Sequence, residues 1–292
     1  MGWIGLGSMG ALMAQNVANG GFSVTAYNRT RREVDLGPGS VVDSVAEAVA
    51  GADAVFVMVS DGAAVRHVLF GPDQAADSLK KGAVVVNMST IGVEETRQIA
   101  LELANLGVDF VDAPVSGSVG PAKTGDLVIL AGGSEATVNQ LRPVFLTMGK
   151  TLFHLGPISS GAAMKLVVNS YLGLTLQTAS ECMALADKSG LGRERFLEVL
   201  QKTGMWSPVV GAKKAMWLSD EYPAAFALKH MTKDLSLTSA FATTLSVGTP
   251  AILTALATFL AAQAQGLADE DMAAVAQHIA RMAGNDDQGR HS

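Results

Sequence analysis

The stretch "GWIGLGSMGALMAQNVANGG", residues 2–21, decides how the first half of the chain is read. A short apolar run leads into Gly5-x-Gly7-x-x-Gly10, and a helix-like segment follows at once. The first glycine permits a tight turn, and the second lets the backbone approach a pyrophosphate. The third lets the helix pack on the strand, with its N-terminal N–H groups aimed at phosphate oxygens. A lone glycine triplet marks only a turn, so its meaning depends on the surrounding pattern.

That pattern repeats. Strand candidates at 2–7, 23–28, 54–60, 83–89, 108–115 and 127–133 alternate with helix-like segments at 9–20, 44–50, 62–69, 93–106 and 134–147. Continuous apolar strands separated by helices indicate a parallel sheet covered on both faces. After "TLFHLGPISSG" (151–161) the strand signals stop. Residues 161–189 read as one long helix, charge-free from Leu166 to Ser180, with others near 193–203, 208–218, 228–246, 250–265 and 270–283. The tail "GNDDQGRHS" reads as disordered. The expected fold is α/β: an N-terminal Rossmann-type doubly wound parallel sheet over residues 1–157, then an all-α C-terminal domain over 158–292 for substrate and oligomerisation.

Composition narrows the function class. Apolar residues make up 49% and charged residues 16%, so a helix apolar all round is expected to sit in a core that two subunits share. A net charge of −6 argues against a nucleic-acid binder. The one cysteine, Cys182, excludes an intramolecular disulfide framework and fits a reducing compartment. The start, "MGWIGLGSMG", has no basic region or cleavage-like site, so no secretory signal is expected and a cytoplasmic location is the default. Leu235–Ala268 is uncharged, but Gly248 and Pro250 interrupt it. Neither half offers the roughly 20 apolar residues of a membrane span, so no membrane is expected, and two helices buried on most sides, either inside a helical domain or at a subunit interface, fit better.

The loop Gly5, Leu6, Gly7, Ser8, Met9 and Gly10 is therefore the expected cofactor cradle. NAD sites place an acid at the end of the second strand to hold the ribose 2′-OH. Here the strand ends in Tyr27-Asn28-Arg29-Thr30-Arg31-Arg32, with no acid before Glu33. Arg29 can pair with a 2′-phosphate or stack on adenine, and Thr30 adds a hydroxyl, so NADP(H) is preferred over NAD(H). Ligands in such sheets lie beyond the carboxyl ends of strands, which brings in Val59 and Ser60 after one strand and Thr90 after the next. The small-residue loop "DAPVSGSVGPAKTGDL" (112–127) offers Ser116, Gly117 and Ser118 as hydroxyl and N–H donors to an anion.

"GAAMKLVVN", residues 161–169, sets one lysine in a stretch otherwise suited to burial. Lys165 and Asn169 are four apart and share one helix face. A lysine ammonium beside a carbonyl can polarise it and donate the proton that an incoming hydride requires. Burial and a nearby cation would lower its pKa. The five histidines have no ligand spacing, so no metal is expected.

Together, GLGxMG at 5–10, DAPVSG at 112–117, GxxxKLxxN at 161–169 and KDL at 233–235 resemble the β-hydroxyacid dehydrogenase (3-hydroxyisobutyrate dehydrogenase-like) family. Within it, "NRT", "SGSxxPAxxG", "MKLVVN" and "FxLKHMxKD" look most like the glyoxylate/succinic semialdehyde reductases. The resemblance implies Lys165 as catalytic acid/base, Asn169 as its partner at the substrate, and Ser116, Gly117 and Ser118 as a substrate carboxylate cradle. It places Thr90 and Lys233 beside nicotinamide and substrate, with Phe226 at the pocket wall. The implied activity is NADPH-dependent reduction of a short carboxylate-bearing aldehyde by a homodimer or homotetramer. The sequence departs from this pattern at Val119-Gly120, where basic residues are expected, and at Trp206, which either restricts long substrates or packs a core. Alternatives are a 3-hydroxyisobutyrate, serine or tartronate semialdehyde dehydrogenase, an imine reductase, or a non-catalytic nucleotide-sensing scaffold. Lys165 counts against the imine reductase, and Lys165, Asn169 and Lys233 count against the scaffold.

Overall fold

In the computed structural model, which describes residues 1–72 and 75–284, β1 (Gly2–Ile4) lies inside a six-stranded parallel sheet. It is flanked by β2 (Thr25–Tyr27) and β3 (Ser40–Val42) on one side, and by β4 (Ala54–Val57), β5 (Val84–Asn87) and β6 (Asp109–Asp112) on the other. The order 3-2-1-4-5-6 is that of a Rossmann sheet. Side chains alternate between its faces as the two-residue strand period demands. Trp3, Phe56, Val84 and Val86 enter one apolar cluster; Ile4, Val55, Val57 and Val85 enter the other. On the first face Trp3 stacks on Phe56 at 5.4 Å between ring centroids, and Phe56 meets Phe145 edge-on at 6.2 Å.

The crossovers are α1 (Gly10–Asn19), α2 (Val45–Val49), α3 (Gly62–Phe70) and α4 (Val93–Asn105). Asp61 caps α3 by accepting the Ala64 N–H at 2.8 Å, which satisfies one of the first-turn donors every helix leaves open. The edge strand β3 was not expected; it is three residues long and none of it is buried, so it carries little apolar signal. A second correction concerns 127–133. This segment is not a sixth parallel strand but β8 (Leu127–Ala131) of a separate three-stranded sheet. It pairs antiparallel with β7 (Val115–Ser116) and parallel with β9 (Gly149–His154). The chain reverses through Gly117, at φ +124, and α5 (Val119–Thr124), and α6 (Glu135–Met148) joins β8 to β9.

The helical part comprises α7 (Ser160–Lys188), α8 (Arg193–Leu200), α9 (Pro208–Ser219), α10 (Leu228–Thr244), α11 (Pro250–Ala262) and α12 (Val275–Met282). The chain divides into two compact units, Met1–Lys165 and Leu166–Ser292, and the division falls inside α7. The tail expected to be disordered lies, from residue 285 on, outside the described residues.

Two helices carry exposed apolar residues in the single chain. On α7, Tyr171 is 74% and Leu185 71% exposed, with Val167 also exposed. On α11 the buried residues are Ala255, Phe259 and Ala262, while Leu253 and Leu260 are exposed. The helical run continues irregularly to Leu267 through Gly266 at φ +90. Contrary to the sequence expectation, Pro250–Leu267 is long and apolar enough, by length and composition only, to cross a membrane.

Candidate functional site

The glycine loop has the shape of a dinucleotide cradle. A Cβ on Gly5 would stand 2.1 Å from the Met58 carbonyl oxygen, and one on Gly10 would stand 2.2 Å from that of Gly5. At Gly7 nothing lies within 4 Å. The first and third glycines thus close the turn and the helix contact, while the second leaves its backbone approachable. No side chain caps α1 and its first turn has no acid, which suits an anion at that end. Gly7 and Ser8 are exposed, Met9 is half-buried, and Leu6 is buried.

The Leu6 peptide is held from both sides. Its N–H donates to Asn28 Oδ1 at 2.8 Å, and its carbonyl accepts from Arg32 Nη1 at 3.0 Å. Asn28 Nδ2 in turn donates to the Thr30 carbonyl at 2.7 Å. Arg31 bonds Glu33 and Asp43. Two of the three guanidinium groups after β2 therefore have protein partners, and Arg29 and Thr30 stand exposed at the strand end. The part played by Arg32 was not read from sequence, since its acceptor is a backbone carbonyl 26 positions away.

At the next two strand ends, Val59 N–H donates to Ser89 Oγ at 2.9 Å and Ser60 Oγ donates to Asp61 at 2.7 Å. Ser89 thereby ties the loop after β4 to the loop that carries half-buried Thr90. Ser116 ends β7, Gly117 is exposed at positive φ, and Ser118 precedes α5. A Cβ on Gly117 would lie 2.8 Å from Leu127 Cδ2 and 3.1 Å from Pro121 Cβ, so this turn requires glycine.

Lys165, the last residue of the first unit, is 8% exposed. In the second unit Asn169 is 2% exposed and donates from Nδ2 to Asp234 Oδ2 at 2.6 Å. Lys233 Nζ lies 3.0 Å from Asp234 Oδ1, a charge contact outside hydrogen-bond geometry. Asn169, Lys233 and Asp234 thus come together, and Ser170 Oγ, one residue on, donates to Thr238 Oγ1 at 3.0 Å. Asp234 was quoted in the KDL motif but given no role; its partner lies 65 positions away. Phe226 is half-buried, 6.0 Å from the His230 ring, and its N–H donates to Asp271 Oδ2 at 3.1 Å. Trp206 is half-buried, packs on the helical core and lies over Gly211, where a Cβ would stand 3.3 Å from its ring. That contact is core packing.

The family model described as the NAD binding domain of 6-phosphogluconate dehydrogenase matches residues 1–156. The one described as NAD-binding of NADP-dependent 3-hydroxyisobutyrate dehydrogenase matches 159–279. Glyoxylate/succinic semialdehyde reductase 1 of Arabidopsis thaliana is 36% identical over 96% of this chain and 98% of its own length. The 2-(hydroxymethyl)glutarate dehydrogenase of Eubacterium barkeri is 34% identical over 97% and 96%. The crystal structure of a 3-hydroxyisobutyrate dehydrogenase from Salmonella typhimurium superposes with a TM-score of 0.83 at 29% identity, covering 94% of this chain and 98% of that one.

Proposed function

Because the chain belongs to the β-hydroxyacid dehydrogenase family and is an NAD(P)-dependent oxidoreductase acting on CH–OH, we propose that it reduces a short carboxylate-bearing aldehyde, such as glyoxylate or succinic semialdehyde, with NADPH. The observation that carries this is a lysine only 8% exposed, one helical turn before a buried asparagine on α7. Lysine is among the residues least often buried. The similarity to a relative named for both aldehydes supports the substrate class.

When bound, the nicotinamide supplies a hydride to the aldehyde carbon. Lys165 polarises the carbonyl and gives its Nζ proton to the oxygen as the C–H bond forms; in the oxidative direction the neutral amine takes that proton back. Asn169, its amide fixed by Asp234, hydrogen-bonds the substrate beside Lys165. Ser116, Gly117 and Ser118 hold the carboxylate with hydroxyl and N–H donors, and Lys233, Thr90 and Phe226 line the reacting end. Gly5 to Gly10 and Asn28 seat the pyrophosphate and ribose, with Val59 and Ser60 closing over the cofactor. NADPH is preferred because Arg29 and Thr30 stand exposed where an acid would select NADH.

A second copy covers the exposed Val167, Tyr171 and Leu185 of α7 and Leu253 and Leu260 of α11, giving a homodimer or homotetramer through the helical residues. The lone, exposed Cys182 fits a reducing cytoplasm. The decisive experiment is a screen of cofactor oxidation over glyoxylate, succinic semialdehyde, other short semialdehydes and simple imines, with NADPH and then NADH. Turnover of glyoxylate or succinic semialdehyde with NADPH is expected. If both are inert and another semialdehyde is turned over, the substrate assignment is wrong.

A further inference from the structure

Asp112 is fully buried at the carboxyl end of β6 and has no part in the proton transfer just described. Its Oδ1 accepts the N–H of Ser159 at 2.7 Å and its Oδ2 accepts the N–H of Ala162, also at 2.7 Å. These amides open α7, among the first donors that a helix cannot satisfy internally. The Asp112 backbone also exchanges bonds with Gly132 just after β8, N–H to carbonyl at 3.0 Å and carbonyl from N–H at 2.8 Å.

The packing around this carboxylate leaves no slack. A Cβ on Gly161 would stand 2.1 Å from the Leu130 carbonyl oxygen and 2.7 Å from that of Asp112. One on Gly132 would stand 2.6 Å from Asp112 Oδ1. Ser159 is held at φ +79, where a non-glycine residue is strained. The strand that ends in Asp112 continues through Ala113, Pro114 and Val115 to Ser116, and the turn it grips continues along α7 to Lys165.

We propose that Asp112 is a positioning residue for the reduction: it ties the first turn of α7 to the strand leading into the Ser116–Ser118 loop, and so fixes where Lys165 stands. This rests on Lys165 as proton donor. A carboxylate suits the task because it offers two acceptors at once. Asparagine would turn a donor toward one of the two N–H groups, and serine would offer one acceptor.

Burial holds the Asp112 carboxyl up at about 7 in spite of its N–H donors, so the grip is itself titratable near neutrality. The other charged or titratable groups around it are engaged elsewhere or lie on α7. Arg97 of α4 donates from Nε to Ser159 Oγ at 3.2 Å, and His154 of β9 lies with Nε2 2.9 Å from the Gly133 carbonyl oxygen. Lys165 is on α7 itself, and the β5 neighbour in register is neutral Asn87.

The test measures kcat and KM with NADPH and glyoxylate across pH, and amide deuterium exchange of the peptide containing residues 159–166. It compares wild type, Asp112→Asn, Asp112→Ser and Lys165→Ala. In both Asp112 variants kcat is expected to fall about 10–100-fold, the effect of a small misplacement of a catalytic group. The KM for NADPH stays within about twofold, exchange in that peptide quickens, and the acid limb of wild-type kcat near pH 7 disappears. Lys165→Ala removes turnover without altering exchange. If Lys165→Ala keeps its rate, the proton-donor assignment fails while the exchange result still reports on Asp112. If either Asp112 variant folds with wild-type kcat or wild-type exchange, the positioning role is overturned. If one variant does not fold, the other decides.

Discussion

Asn169 Nδ2 donates to Asp234 Oδ2 at 2.6 Å, joining α7 to α10 through two buried side chains separated by 65 positions. An ionised acceptor can only receive, so the bond fixes which way the Asn169 amide faces. Asp234→Ala leaves that amide unheld and removes the charge next to Lys233. A loss of about 10–100-fold in kcat/KM is expected, equivalent to roughly 1.5–3 kcal/mol, the worth of a hydrogen bond to a charged group. Steady-state kinetics beside a melting curve separate this from simple unfolding.

The glycine loop gives a paired prediction. Gly7→Ala meets nothing within 4 Å, so the melting temperature should hold while NADPH binding weakens by about tenfold or more, roughly 1.4 kcal/mol. Gly10→Ala puts a methyl 2.2 Å from the Gly5 carbonyl and should lower the melting temperature as well. Calorimetric titration with NADPH and thermal scans read the two effects apart.

Cofactor choice should follow Arg29 rather than its neighbours. Arg29→Ala is expected to lower the NADPH-over-NADH ratio of kcat/KM by about 10–100-fold, as loss of a charge-assisted phosphate contact does. Arg31→Ala, which breaks only the exposed bonds to Glu33 and Asp43, should leave that ratio unchanged. Kinetics with both cofactors decide it.

In the helical unit Lys213 Nζ lies 2.7 Å from Asp271 Oδ1, both buried. Asp271 also accepts N–H groups from Ala225, Phe226 and Ala273. Lys213→Met strands that carboxylate and should cost about 3–5 kcal/mol. Lys80→Met, which removes an exposed partner of Asp53, should leave the midpoint nearly unchanged, because water screens an exposed pair. Urea midpoints measure both.

Stability should also carry the mark of Asp112. Its pKa in the folded protein, about 7, stands above the 3.8 of an unperturbed carboxyl. Between those values the folded chain keeps a proton that the unfolded chain has released. Its contribution to stability is therefore largest below about pH 4, falls as pH rises, and levels off above about pH 7. Wild type measured against Asp112→Asn by urea unfolding at pH 5 and pH 8 should show the wild-type advantage shrinking as pH rises.

The sequence by itself determined the repeating strand–helix pattern, the glycine turn and the change to helices near residue 157, because backbone geometry and apolar periodicity are local properties. It also singled out Lys165 and Asn169, four apart on one helix. Only the tertiary structure decided what holds them. Asp112 grips the start of α7 from 47 positions away, Asp234 fixes Asn169 from 65, and Arg32 and Asn28 clamp the Leu6 peptide from 26 and 22. The same holds for the assignment of 127–131 to a second sheet and for the exposed apolar sides of α7 and α11. Each depends on groups brought together by the fold, and a hydrogen bond to a distant backbone amide or an uncovered face leaves no periodic trace in the residues that make it.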